Sequence, residues 1–486
     1  MTEFLPALSP ETQQVIRMGY ATLMLCTIAW TAGPGIWFFR SARWGGYGDQ
    51  HWTTDLLQNP FSHRLTMGLW VSSSIGLLLG YNTVWCAATN LLICWYYFVR
   101  TRWNSLLRGM GAPGFFCYWL GLAVFLLETS RCLDPSGRLV TLAVLVLQID
   151  YALIQLCAGS YKSVCGYSRN TGMQLGLVNP LWGHHWRFYK KMAPDHYLFR
   201  FLNQASFRVQ IIAALLMLFP PTRWMGAALI AVSFLFVMTQ IRLGFLLPKV
   251  MLGALLFVPA GSRFDRWLGC LTTISPSTNS VSSEIGTVLL ATGLVIYLLL
   301  LPLAKFCQWY NFLEGKTLFR PLQTFLEAWC NYFGIIIWRV FSVDVINFFV
   351  RIYIVDPDGF EEEYTTLGRR GGPDARGRYL QVAESIALTC IFTTLKYHPT
   401  NSALFVDKLL RYARTVPCPE GGKLRFAYYS IDHTGARFEF LHRNDYFVDP
   451  STSSVEALYS AGAEVPEVSP VRESARTGSY LPIPSA

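Results

Sequence analysis

Gln148, Gln155, Gly159 and Lys162 stand seven, four and three residues apart in the stretch LQIDYALIQLCAGSYK. On a helix this spacing gathers them on one face, and the face ends in an amine. An amine withdrawn from water holds its proton less tightly. A neutral lysine can then act as a base or nucleophile. Gln148 and Gln155 would supply hydrogen bonds to a ligand. Gly159 would let a backbone or ligand approach closely, and Asp150 would orient the reacting groups. The competing readings are structural. Lys162 would snorkel to the headgroups, and Asp150 would partner a cation or hydroxyl of a neighbouring helix. Lys249, next to Pro248, is a candidate partner for Asp150 or a second snorkelling amine.

A second group of polar side chains is NPLWGHHWRFYKKMAP, with His184, His185, Arg187, Lys190 and Lys191. These could bind an anionic headgroup or substrate. Alternatively, the stretch is an aromatic and cationic belt at the membrane surface. Adjacent histidines point apart on any regular element, and no carboxylate completes a zinc-ligand spacing. No metal is expected.

The elements that would carry these groups are written in the composition. Of the 486 residues, 52% are hydrophobic and only 14% are charged, well below the roughly 25% of ordinary soluble chains. A membrane helix needs about 20 mostly apolar residues. Nine stretches approach this: Ile16–Phe39, Leu65–Gly80, Asn82–Val99, Gly114–Leu127, Leu139–Ala158, Val209–Phe219, Trp224–Met238, Leu243–Val258 and Ile285–Leu303. Val209–Phe219 is the weakest and needs flanking residues to cross. The expected fold is an all-α polytopic membrane bundle of about nine transmembrane helices with a small C-terminal α+β domain. Its divisions are a polar leader 1–14, the membrane domain 15–310, an interfacial helical connection 311–344, a soluble domain 345–450 and a disordered tail 451–486.

In the soluble domain, Val345–Val355 and Phe360–Thr366 read as strands joined by the turn Asp356-Pro357-Asp358-Gly359. Tyr379–Leu395 and Ser402–Ala413 read as helices. Lys423–Asp432 and Ala436–Leu441 read as a second hairpin. The interrupted apolar stretch Leu322–Val340 reads as an interfacial helix. The Ser-, Pro- and Glu-rich end reads as disordered.

The net charge of +10 comes with no zinc-finger, RNP or basic-helix pattern, so nucleic acid is not an expected partner. The cations gather in loops between apolar stretches. Arg40, Arg43, Arg64, Arg100, Arg102, Arg108, Lys305, Lys316 and Arg320 fall on one side, while Arg17, Arg131, Arg138, Arg223, Arg263 and Arg266 fall on the other. The positive-inside rule then places the N-terminus outside and the C-terminal domain in the cytosol. The twelve cysteines show no C-x-x-C or secreted spacing, so no disulfide framework is expected. Walker A, Rossmann, G-x-S-x-G and H-E-x-x-H patterns are absent from the sequence, which argues against ATP-driven transport and serine or zinc hydrolysis.

Ala158, Gly159 and Lys162 match an Ala-Gly-x-x-Lys helix end. This segment resembles the signature of the horizontally transferred transmembrane domain (HTTM) family, which includes the transmembrane part of vitamin K-dependent γ-glutamyl carboxylase. LGFLLPKVMLGALLFVP is similar to a later helix of that family through Pro248, Val250, Met251, Leu252, Phe257 and Pro259. RGMGAPGFFCYWLGLAVFLL sits where the family enters a span. WRVFSVDVINFFVRIYIVDPDG resembles the segment after the last span in microbial relatives. The resemblance covers roughly residues 15–310. It implies a membrane-embedded enzyme acting on a lipid-soluble or peptide substrate, with Lys162 as base and a quinone-like lipid as candidate cofactor. It also places this lysine toward the lumen, opposite to the charge count. The alternative is a non-catalytic membrane protein (lipid-binding, translocating or scaffolding) whose partner binds through residues 345–450.

Overall fold

A computed structural model describes residues 5–48, 55–271, 283–337, 342–364 and 375–459. The helical half is built from α1 (Pro10–Thr31), α2 (Pro60–Leu79), α3 (Thr83–Trp95), α4 (Gly111–Leu133), α5 (Arg138–Val164), α6 (Tyr197–Leu218), α7 (Arg223–Gln240), α8 (Leu246–Ala254), α9 (Glu284–Glu314) and α10 (Arg320–Phe333). Among the described residues, five helical stretches are long and apolar enough to cross a membrane: Arg108–Leu133, Arg138–Val164, Tyr197–Leu218, Pro220–Gln240 and Glu284–Glu314. They mark the chain as an integral membrane protein.

Five stretches rather than nine meet that standard, and the shortfall has local causes. In α1, the buried Gln13, Gln14 and Arg17 lower the apolar character of the first helix. The helix then stops at Thr31, before Gly33 at φ 92° and Pro34. In α2, Ser72, Ser73 and Ser74 interrupt the apolar run. Helix α3 has 13 residues and passes into a π-turn at Tyr96–Arg100. The stretch Leu246–Phe257 rises about 18 Å at 1.5 Å per residue, short of the roughly 30 Å hydrocarbon core. Conversely, the weak Val209–Phe219 stretch belongs to a 22-residue helix that starts at Tyr197, inside what reads from sequence as a charged connection.

Helix α10 has 14 residues, about 21 Å of rise, and is likewise too short to cross. Beyond it, the C-terminal part forms one antiparallel sheet in the order β2-β1-β3-β4-β5, with β1 Phe348–Val355, β2 Glu361–Glu363, β3 Lys423–Asp432, β4 Glu439–Asp449 and β5 Ser454–Tyr459. Ile352 pairs with Phe426 across β1 and β3, and Phe426 with Tyr446 across β3 and β4. Helices α11 (Ala375–Tyr397) and α12 (Ser402–Ala413) cover one face of the sheet. There, the Phe392 ring meets those of Phe405, Tyr428 and Tyr446. The expected tail at 451–486 begins instead with β5, which pairs with β4 from Asn444–Tyr459 to Asp449–Ser454. Residues 460–486 of that tail, 338–340 of the expected interfacial stretch and 365–374, which include the end of the expected strand Phe360–Thr366, lie outside the described residues.

The sheet is not an appendage hung from the helices, because a single cluster of buried side chains runs through both halves. Tyr379 of α11 lies 4.8 Å from the Phe245 ring and 6.2 Å from that of Trp30. Tyr47 stacks on Tyr412 at 6.0 Å and meets Thr415 Oγ1 at 3.1 Å. Asn179 Nδ2 donates to the carbonyls of Ile346 and Phe348 at 2.8 and 2.7 Å. These polar contacts are buried, where an unmade hydrogen bond costs about 1–3 kcal/mol. They therefore lock the two halves in register.

Candidate functional site

The central helix α5 enters from a turn in which Asp134 accepts hydrogen bonds from Ser136 and from the Leu139 amide. Those bonds, led by the Ser136 hydroxyl, hold the Asp134 carboxyl below its ordinary range. From there α5 presents two chemically different faces, and the residues nominated by the sequence are divided between them.

On the first face, Gln148 Nε2 donates to the Leu256 carbonyl at 2.7 Å. Gln210 Nε2 of α6 donates to Gln155 Oε1 at 3.2 Å. A Cβ added at Gly159 would come within 2.9 Å of Ile211 Cγ1 and 3.0 Å of the Phe207 carbonyl oxygen. Gly159 is thus where α5 and α6 touch. Lys162 ends the face with its Nζ 5.9 Å from the Tyr167 ring centroid. Among the described residues its ammonium makes no hydrogen bond or ion pair. The two glutamines are helix-to-helix ties, so this side of α5 is packed rather than hollow. Toward α8, Tyr151 donates to the Val250 carbonyl at 2.9 Å, a further tie that packs α5 against its neighbour.

On the second face, Asp150 Oδ2 accepts from Trp119 Nε1 and from the Tyr297 hydroxyl, each at 2.9 Å. Further along this side, Leu153, Leu156, Ser160 and Val164 of α5 face Pro302, Lys305 and Trp309 of α9 across a groove of about 420 Å³. Lys305 is close enough to act electrostatically on Asp150, while its Nζ donates to the Ile336 carbonyl at 2.9 Å. Trp309 Nε1 reaches Cys157 Sγ at 3.3 Å. Lys162 is two residues from Ser160, about 200° around the helix at 100° per residue. It therefore points away from the groove. Twelve residues also separate it from Asp150, about 18 Å of helical rise. Asp150 does not orient Lys162.

Lys249 pairs with neither Asp150 nor the headgroups. It is 1% exposed, and its Nζ contacts the Pro113 carbonyl and Cys117 Sγ, both at 2.9 Å. The cationic loop is dispersed as well. His184 and His185 have ring centroids 6.4 Å apart, and Arg187 lies over the Trp186 ring. Lys190 Nζ sits 3.9 Å from the centroid of Phe440 on β4. These side chains pack the loop onto the sheet rather than converge on one ligand. Among the described residues, no group of three or more His, Cys, Asp or Glu side chains is placed to hold a metal ion.

Sequence reasoning overlooked Lys305, which reads as a loop cation following the last apolar stretch. The helix runs on through Pro302 to Glu314; a proline there tends to kink or end a helix, which is why Lys305 reads as a loop residue. Comparison with family models, curated proteins and solved structures finds no match to this chain.

Proposed function

We propose that this chain is a multi-pass membrane protein of the HTTM family that takes a lipid-soluble molecule into the groove between α5 and α9. The observation that carries this reading is the groove itself. It lies between two membrane-crossing helices, has a mostly apolar lining, and carries Lys305 and Ser160 as its polar points. A volume of about 420 Å³ falls in the range of small-molecule sites, about 300–1,000 Å³. The family relationship rests on the Ala158-Gly159-x-x-Lys162 helix end and on the Pro248–Pro259 stretch. A quinone-like lipid fits the groove by chemistry.

The test is photolabelling of the reconstituted protein with a quinone analogue bearing a diazirine on its tail. Labelled peptides should fall in residues 153–164 and 302–313, and Ser160→Trp should reduce them severalfold. Labelling spread evenly over the lipid-facing surface of α7 would refute the reading.

A second reading keeps Lys162 as a catalytic base toward a lipid-soluble or peptide substrate. It is favoured by one observation, the amine that lies over Tyr167 without a hydrogen bond or ion pair among the described residues. Lys162→Ala with full activity and normal expression would remove it. Counted over the nine apolar stretches of the sequence, the cations favour a cytosolic sheet whose outer face would meet a protein partner. Protease should then reach the β3–β4 turn only after the vesicles are opened.

A further inference from the structure

A second cavity, of about 100 Å³, lies between α9 and α10 on another flank of α9 from the groove. Its polar lining is lopsided. Gln308 Nε2 donates to the Ile335 carbonyl, while its Oε1 is buried with no hydrogen bond. Asn311 Nδ2 reaches Cys307 Sγ at 3.8 Å, while its Oδ1 is likewise buried with no partner. Glu327 accepts from Gln323 Nε2 and forms no ion pair among the described residues. Lys305 directs its ammonium to the Ile336 carbonyl instead. Two amide oxygens without a hydrogen bond among the described residues and a carboxylate held only by Gln323 thus line one small space, whose other walls are Leu326, Asn331 and the thiols of Cys307 and Cys330. Burying acceptors without donors is costly, so the complementary occupant carries positive charge and several N–H donors.

The dimensions narrow the choice. About 100 Å³ holds roughly three water-sized atoms, which is one nitrogen and two carbons. A trimethylammonium group has no N–H to offer and is larger. The location narrows it again. Helix α9 has 31 residues, about 46 Å of rise against a core of about 30 Å. Its last turns therefore lie at headgroup depth when the apolar start of the helix fills the core. Helix α10 turns Leu322, Phe325 and Tyr332 outward, 38%, 49% and 61% exposed, as an interfacial helix does toward lipid. We infer that the α9–α10 cavity binds a primary ammonium group on a two-carbon stem, as carried by an ethanolamine phospholipid or by a free amine. Gln308 Oε1, Asn311 Oδ1 and Glu327 receive its three N–H bonds.

The inference is independent of the groove and is tested on the delipidated full-length protein in detergent. Ethanolamine and choline phospholipids of identical chains are added, and retention is read by native mass spectrometry. The ethanolamine lipid should be retained about tenfold or more over the choline lipid. Glu327→Gln should erase the preference, because the charge-assisted bond is lost. In the wild-type protein, ethylammonium chloride should displace the ethanolamine lipid and tetramethylammonium chloride should not, a measurement that stands even if the variant fails to fold. Stabilisation by ethylammonium as large as that by the lipid would identify a free amine as the source and uphold the site. Equal retention of the two lipids, a preference unchanged in Glu327→Gln, or no competition by ethylammonium would overturn it.

Discussion

Asp150 offers a sharp test of how the helices are held together, because both of its donors converge on the same oxygen. Trp119 Nε1 from α4 and the Tyr297 hydroxyl from α9 each lie 2.9 Å from Oδ2. Asp150→Ala removes that oxygen and leaves two buried donors without an acceptor. Side-chain hydrogen bonds between membrane helices average about 0.6 kcal/mol and reach about 1.7 kcal/mol. Losing two should therefore destabilise the protein by roughly 1–3 kcal/mol. Asp150→Asn keeps a carbonyl oxygen that can occupy the Oδ2 position and accept from both donors. It gives up only the attraction to Lys305, so its loss should stay below about 1 kcal/mol. Equilibrium unfolding of the purified protein from mixed micelles, with a denaturing detergent as titrant and tryptophan fluorescence as signal, resolves the two variants. An alanine variant that unfolds with the wild type would refute the reasoning. So would an asparagine variant that falls as far as alanine, because charge rather than the shared oxygen would then be the tie.

Gly159→Leu should force α5 and α6 apart, since even a Cβ meets the Phe207 carbonyl oxygen at 3.0 Å. Overpacking of this kind costs about 1–3 kcal/mol, read as a lower unfolding midpoint in the same titration. Removal of residues 341–486 should leave a helical half that aggregates on extraction, because Tyr379 packs against Phe245 and Asn179 bonds to the Ile346 and Phe348 carbonyls. A monodisperse truncated protein on size-exclusion chromatography would contradict the shared core. Burial pushes the Cys390 thiol up, but Arg108, 3.2 Å away through Nε, together with Lys408 and Arg411, holds it below its ordinary range. A thiol depressed by folding stabilises the folded state fully above its unfolded value of about 8.5 and loses that contribution as pH falls through the lowered value. Unfolding midpoints should therefore decline from pH 9 toward neutrality, and Cys390→Ala should flatten that slope.

Much of the architecture can be read from residue order, for physical reasons that differ by element. Five of the nine apolar stretches correspond to helices that are long and apolar enough to cross, because a crossing helix declares itself by unbroken hydropathy whether it faces lipid or its neighbours. Helix α6 was only half visible. Its first turns carry Arg200, Asn203 and Gln204, and their polarity hides a helix that continues into the apolar part. The strands β1 and β3 are plain in their aromatic and β-branched runs, whereas β5 hides in a Ser- and Thr-rich segment that becomes a strand only because β4 offers it a ladder. At the site, the 100° periodicity already separates Asp150 from Lys162. Which face meets a cavity depends on α9, more than a hundred residues away, and no local pattern in α5 reveals that.

The placement of Tyr379 against Trp30 and Phe245 also sets an order of events during synthesis. Trp30 leaves the ribosome about 350 residues ahead of the tyrosine that packs on it. At about 5–20 residues per second, α1 waits on the order of 20–70 seconds for its cover. Throughout that interval the nascent helices carry an aromatic surface whose last partner does not yet exist. Phe245, which stacks on Trp30 at 4.2 Å, is made earlier, so that ring pair can form first and Tyr379 closes over it last.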